Sequence, residues 1–108
     1  MRSFDDILSD ICIAFDTDIE TFKNRSTKRT NEHLSLVNQA FIAVVLYNCC
    51  VNTTYVAKYL KRSIASVYVA HQKATMLLKT QNQYALNFKE RIKNSCEEGR
   101  KLIEQETI

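Results

Sequence analysis

Proline is absent from this chain of 108 residues, and glycine occurs once, at Gly99. Proline breaks helices by removing a backbone donor, and glycine supplies the left-handed conformations of tight turns. A chain with almost neither meets few interruptions to long helices and has little material for β-turns. The expected fold is all-α. The length suffices for one small helical domain with a modest core, but not for a catalytic domain beside a separate recognition domain. The longest apolar run, Ala40 to Tyr47, is far too short to cross a bilayer, and the N-terminus lacks the features of a secretion signal. No membrane partner and a cytoplasmic address are expected.

Helical periodicity and capping residues divide the chain. Ser3 with Asp6 suits an N-terminal cap, after which Phe4, Ile7, Leu8, Ile11, Cys12 and Phe15 recur as one core-facing stripe. Asp16 to Asp18 turn the chain, and Asp18 can cap a short turn that returns Ile19 and Phe22 to the core. Thr30 or Asn31 can cap a long central helix with Leu34, Val37, Phe41, Val44 and Val45 on one face and Leu36, Ala40, Ala43 and Tyr47 extending that face sideways. Between Phe41 and Val51 the β-branched and aromatic content also suits a buried strand, but the pattern runs on unbroken from Leu34, and a lone strand would have no pairing partner.

Asn52 to Thr54 cap a helix in which Val56, Ala57 and Leu60 face inward, and the small Ala57 permits close helix crossing. Lys61 and Arg62 turn the chain. Ser63 caps the next helix, whose inward stripe is Ile64, Val67, Ala70, Ala74 and Leu77 or Leu78. Two helices joined by so short a turn form the unit that offers a helix to the DNA major groove. The turn has no glycine, a departure that excludes the motif only if Lys61 must take a left-handed conformation.

Charge is segregated. Residues 1 to 22 hold six acidic groups and one basic group. Lys23, Arg25, Lys28 and Arg29 then form a basic cluster, and from His33 to Lys89 no acidic residue offsets Lys58, Lys61, Arg62, Lys73, Lys79 and Lys89. A positive field favours phosphate backbones or an acidic partner, and salt weakens either association. The outward side of the second helix, with Ser63, Ala65, Ser66, Val69 and Lys73, is small enough for close approach. Ser66 can bond a base or phosphate, Ala65 or Val69 can meet a thymine methyl, Lys73 can reach a phosphate, and Arg62 can enter a groove. Ordinary surface solvation is the bland alternative for such residues.

From about Asp6 to Leu78 the chain resembles the C-terminal DNA-binding domain of the bacterial replication initiator DnaA, a helical domain related in form to the tryptophan repressor. The likeness lies in Ile7-Leu8 through Phe15, in Ile19-Glu-Thr-Phe-Lys23, in Arg25-Ser-Thr-Lys-Arg29, and in Arg62-Ser-Ile-Ala-Ser-Val-Tyr-Val-Ala-His-Gln-Lys-Ala74. The resemblance implies that Arg62 matches a minor-groove arginine and that Lys28 and Arg29 match a basic pair on the phosphate backbone. It also implies that Lys73 occupies a basic position of the recognition helix. Ser63, Ile64, Ala65 and Ser66 stand where the family has aspartate, histidine, threonine and threonine, so the origin box is not the expected target. Leu60 and Lys61 replace two glycines, and no glycine-rich phosphate loop is present, so ATP-driven initiation by this chain alone is not expected.

Two segments are expected: residues 1–80 as the DnaA-like helix-turn-helix domain, and 81–108 as a C-terminal helical extension. Phe88, Ile92, Cys96, Leu102 and Ile103 give the extension one weakly amphipathic helix, which Gly99 bends or ends. It either covers the core or pairs two copies as a homodimer with neighbouring half-sites. Cys12, Cys49, Cys50 and Cys96 lack the spacing of a zinc site and are expected to be buried thiols, with no metal and no cofactor.

His33 and His71 have no carboxylate or nucleophile at useful spacing, so no enzyme activity is expected. The expected function is recognition of duplex DNA in replication or transcription control, with Lys23, Arg25, Lys28, Arg29, Lys58 and Lys61 fixing the body on the duplex. The competing expectation is an adaptor or inhibitor that keeps the scaffold and binds a protein partner, with an apolar patch around Tyr68, Val69 and the C-terminal helix.

Overall fold

A computed structural model describes residues 2–24, 32–49 and 51–106. Among the described residues the regular elements are seven helices and no strands: α1 (Phe4–Ala14), α2 (Ile19–Lys23), α3 (Glu32–Asn48), α4 (Thr53–Leu60), α5 (Ile64–Lys79), α6 (Gln83–Ser95) and α7 (Glu97–Glu106). Among the described residues no helix is long and apolar enough to cross a membrane.

Side-chain caps set the helix starts where the sequence suggested. Ser3 Oγ accepts the Asp6 N–H at 3.1 Å, Asp18 accepts from Thr21 at 2.7 Å, Asn52 from Tyr55 at 2.9 Å, and Ser63 from Ser66 at 3.1 Å. Each satisfies a backbone donor that the first helical turn leaves unpaired. The expected Thr30 or Asn31 cap of α3 lies outside the described residues.

The helix ends show how a glycine-poor chain reverses direction. After α1, Asp16 is left-handed at φ 59°, the Asp16 N–H bonds to Ile13 O, and the Thr17 N–H bonds to Cys12 O. After α4, Lys61 is left-handed at φ 56°, its N–H bonds to Lys58 O, and the Arg62 N–H bonds to Ala57 O at 3.0 Å. Both are Schellman endings, the arrangement that usually places glycine at the left-handed position. Aspartate tolerates that conformation comparatively well, whereas lysine carries a steric cost of about 1–2 kcal/mol. Lys61 thus takes the very conformation on which that exclusion turned, and the reversal forms with a strained residue at its corner.

α3 runs unbroken through Phe41 to Asn48, which resolves the strand ambiguity in favour of helix. Val37, Ala40, Phe41, Ile42, Val44 and Val45 are fully buried, and α3 packs against α1, α5 and α7. Asn48 Nδ2 donates to Val44 O and Glu98 O, both at 2.9 Å, tying the end of α3 to α7. Ile7, Leu8, Ile11, Cys12, Phe15 and Phe22 close one side of the same core, while Val56, Ala57, Leu60, Val67 and Ala74 close another. Ile64, expected in the inward stripe of α5, instead stands 43% exposed. Cys12 and Cys49 are buried and Cys96 is partly buried, none of the three in a disulfide, while Cys50 lies outside the described residues.

The C-terminal segment forms two helices, not the single helix expected. The chain breaks at Cys96, which is extended at φ −166°, and α7 folds back against α6. Gly99 therefore marks neither a bend nor an end. It is buried within α7, where an added Cβ would come 2.2 Å from Ile92 O of α6, so the close approach of the two helices needs a residue without a side chain. Phe88, Ile92, Leu102 and Ile103, the apolar stripe expected either to cover the core or to pair two copies, belong to the same core cluster as α1 and α3.

Lys89 also departs from expectation. It was counted among the free cations of the middle region, yet it is buried, and its Nζ donates to Thr80 O at 2.7 Å and Leu78 O at 3.4 Å. A cation there satisfies carbonyls at the C-terminal end of α5 and complements the negative end of its dipole.

Two substitutions test these endings. Lys61→Gly is expected to raise unfolding stability by about 0.5–1 kcal/mol by removing the left-handed strain, and a neutral or lower value in denaturant titration would contradict that strain. Gly99→Ala is expected to lower stability by about 1–3 kcal/mol despite alanine's better helical propensity, and a melting temperature at or above wild type would argue against the tight α6–α7 contact.

Candidate nucleic-acid interface

Ser63 and the first turns of α5 emerge from the Schellman turn with their outer side uncovered. Ser63, Ala65, Ser66, Val69 and Lys73 are exposed, and Arg62 is partly buried at the corner. The Ser63 hydroxyl is committed to the helix, because its oxygen accepts the Ser66 N–H and its proton goes to Ser66 Oγ at 2.9 Å. The Ser66 proton is left for an outside acceptor.

Arg62, Ala65, Ser66, Val69 and Lys73 converge along one flank of α5. They line an open groove of about 340 Å³, with Ala70 also in its lining and Ser35, Asn38 and Gln39 of α3 along the other side. The sequence reading missed the three α3 residues. Their signal was present as a polar i, i+3, i+4 stripe in an otherwise apolar helix.

The cations near this groove are free of counter-charge. Among the described residues, Arg2 pairs with Asp10 and Glu98, Lys23 with Asp5, Arg91 with Asp16, and Arg100 with Glu97 and Glu104, while Lys58, Lys61, Arg62, Lys73 and Lys79 make no ion pair. No acidic residue lines the groove. Among the described residues, Arg62 and Lys73 are therefore the charged groups of its lining.

The remaining basic positions divide. Lys58 and Lys61 are exposed on α4 and its turn, next in the chain to Arg62. Lys61 and Lys23 line a separate depression of about 140 Å³ with Leu8, Phe22, Tyr59 and Leu60. Lys23 is not free, since its Nζ lies 3.0 Å from Asp5 Oδ1 and 5.8 Å from the Tyr59 ring centre. Arg25, Lys28 and Arg29 lie outside the described residues. Among the described residues no group of three or more His, Cys, Asp or Glu side chains could hold a metal ion.

Asp5 accepts hydrogen bonds from Tyr59 and Lys23, which hold its carboxyl below the usual range. Burial, and then the Asp5 carboxylate, push the Tyr59 hydroxyl upward. A depressed folded-state carboxylate stabilises the fold above its unfolded pKa, and that contribution disappears as pH falls through the folded value. Asp5→Asn should therefore flatten part of the acid-side decline in thermal midpoint below about pH 4, near the free aspartate pKa. An acid limb identical to wild type would show that this cluster contributes nothing.

No protein-family model, no curated protein and no solved structure matches the chain.

Proposed function

We propose that the chain binds duplex DNA, with α4, the turn at Lys61 and α5 acting as a helix-turn-helix and the N-terminal half of α5 entering the major groove. The observation that carries this reading is the flank of α5. Small exposed Ala65 and Ser66 sit between Arg62 and Lys73, two cations without internal partners, beside a groove with no acidic lining. Small side chains let a helix approach base edges, and unpaired cations let it displace counterions from phosphates.

In this reading Arg62 reaches a base edge or an adjoining groove, Ser66 donates to a base or phosphate, and Ala65 and Val69 meet thymine methyls. Lys73, Lys58 and Lys61 contact phosphates. Lys23 contributes after exchanging Asp5 for a phosphate, and Arg25, Lys28 and Arg29 add to the phosphate set as the sequence reading assigned them. The activity is binding without catalysis, metal or cofactor, and it suits replication or transcription control. The DnaA-like origin of the scaffold rests on the sequence likeness alone.

A second reading is favoured by the apolar side chains on α5. Tyr68 is 56% exposed, Val69 49% and Met76 70%, more than a helix reading DNA alone requires. On that reading the same scaffold docks a protein, and duplex binding is weak and indifferent to sequence.

Competition binding over a randomised duplex pool at two salt concentrations separates the two. DNA recognition predicts an enriched sequence, with Arg62→Ala costing about 1–3 kcal/mol on that sequence and relaxing its preference. Lys73→Ala should weaken all sequences alike and lower the salt slope by about 0.9. No enrichment, or equal losses for both variants on every duplex, would contradict a base-reading Arg62.

A further inference from the structure

We infer that the groove between α3 and α5 seats a phosphodiester strand bordering the major groove. Ser35, Asn38 and Gln39 supply a row of uncharged contacts opposite Arg62 and Lys73. This inference rests on the DNA-binding reading and adds to it a second wall, on a helix outside the helix-turn-helix.

The α3 stripe is open to an outside partner. Ser35, Asn38 and Gln39 are partly buried, and among the described residues none of their side chains has a hydrogen-bond partner. The Ser35 hydroxyl and the Gln39 amide line the open groove, where a phosphate oxygen can accept from them. Asn38 Oδ1, shielded from solvent without a donor, is itself an acceptor and takes no bond from a phosphodiester. The rest of α3 is apolar wherever it meets the core, from Val37 to Val45. The polar stripe coincides with the one stretch of α3 that lines the open groove.

Charge complementarity selects an anionic occupant. Arg62 and Lys73 on the α5 side have no internal counter-ion, no acidic side chain lines the groove, and hydroxyl and amide donors stand across from them. That donor set fits an anionic strand. A phosphodiester takes charge-assisted bonds from the cations and neutral bonds from Ser35 and Gln39, while α5 lies in the adjoining major groove. An acidic peptide has the right charge as well, and it is an outcome that the test separates.

The neutral and charged walls leave different signatures. Removing a cation changes the number of counterions released, whereas removing a neutral donor does not. The experiment titrates a fluorescent random-sequence duplex, and in a parallel arm a fluorescent oligoglutamate peptide, with the full chain across a salt series, using wild type, Lys73→Ala, the double variant Ser35→Ala with Gln39→Ala, and Gln39→Glu. Melting curves confirm that each variant is folded.

The double variant should lose about tenfold in affinity, as two net hydrogen bonds imply, with the salt slope of wild type. Lys73→Ala should lower the slope by about 0.9. Gln39→Glu keeps the shape but places a negative charge beside the strand. It should bind at least tenfold more weakly at low salt, with a deficit that shrinks as screening increases.

Wild-type binding with an unaltered double variant and an unaltered Gln39→Glu would overturn the strand assignment and leave DNA binding standing. Failure of wild type to bind any duplex, or binding only to an acidic peptide, would overturn both readings.

Discussion

Burial of α3 is the constraint on which the rest of the molecule depends. This helix is enclosed by α1, α5 and α7, and from Ala40 to Val45 every residue is buried. Near-complete enclosure follows from its sequence, because a helix apolar nearly all round must be covered on all sides. Covering it takes nearly every other element, including α6 and α7, whose Phe88, Ile92, Leu102 and Ile103 complete the cluster. What α3 leaves uncovered is therefore meaningful, and the Ser35–Asn38–Gln39 stripe beside α5 is such a place.

The same packing positions α5. The turn at Lys61 reverses the chain through two backbone bonds and a strained lysine, Ser63 caps the new helix, and Lys89 closes its far end. With both ends fixed and Val67, Ala70, Ala74 and Leu78 buried, the outer side of α5 is held outward as a rigid surface. The ion pairs among the described residues involve Arg2, Lys23, Arg91 and Arg100, and none of them involves a cation of α4, its turn or α5. On the proposed DNA-binding reading, a helix with small side chains and cations outside any ion pair is what meets the phosphate-rich duplex.

Local features were legible in the sequence because local physics decides them. The serine, aspartate and asparagine caps, the turns at Asp16 and Lys61, and the stripes of α1 and α4 follow from hydrogen bonding and periodicity within a few residues. Features that depend on distant packing were not. The break at Cys96 has no proline or glycine to announce it, and Gly99 marked a close helix contact where its composition suggested a bend. Lys89 looks like any surface lysine until α6 is laid across the end of α5.

The site divides the same way. Arg62, Ala65, Ser66, Val69 and Lys73 share one flank through helical spacing alone, whereas Ser35, Asn38 and Gln39 join them only through the packing of α3 on α5. Lys23 lost its freedom to Asp5, a residue on another helix.

The most direct measurement is the change in backbone amide resonances when duplex DNA is added to the isotopically labelled chain. Perturbations concentrated at 62–73, with a second set at 35–39 and little change along the outer side of α6 and α7, are the predicted result. Perturbations concentrated on α6 and α7 with α5 silent, or none at all at low salt, would contradict the account.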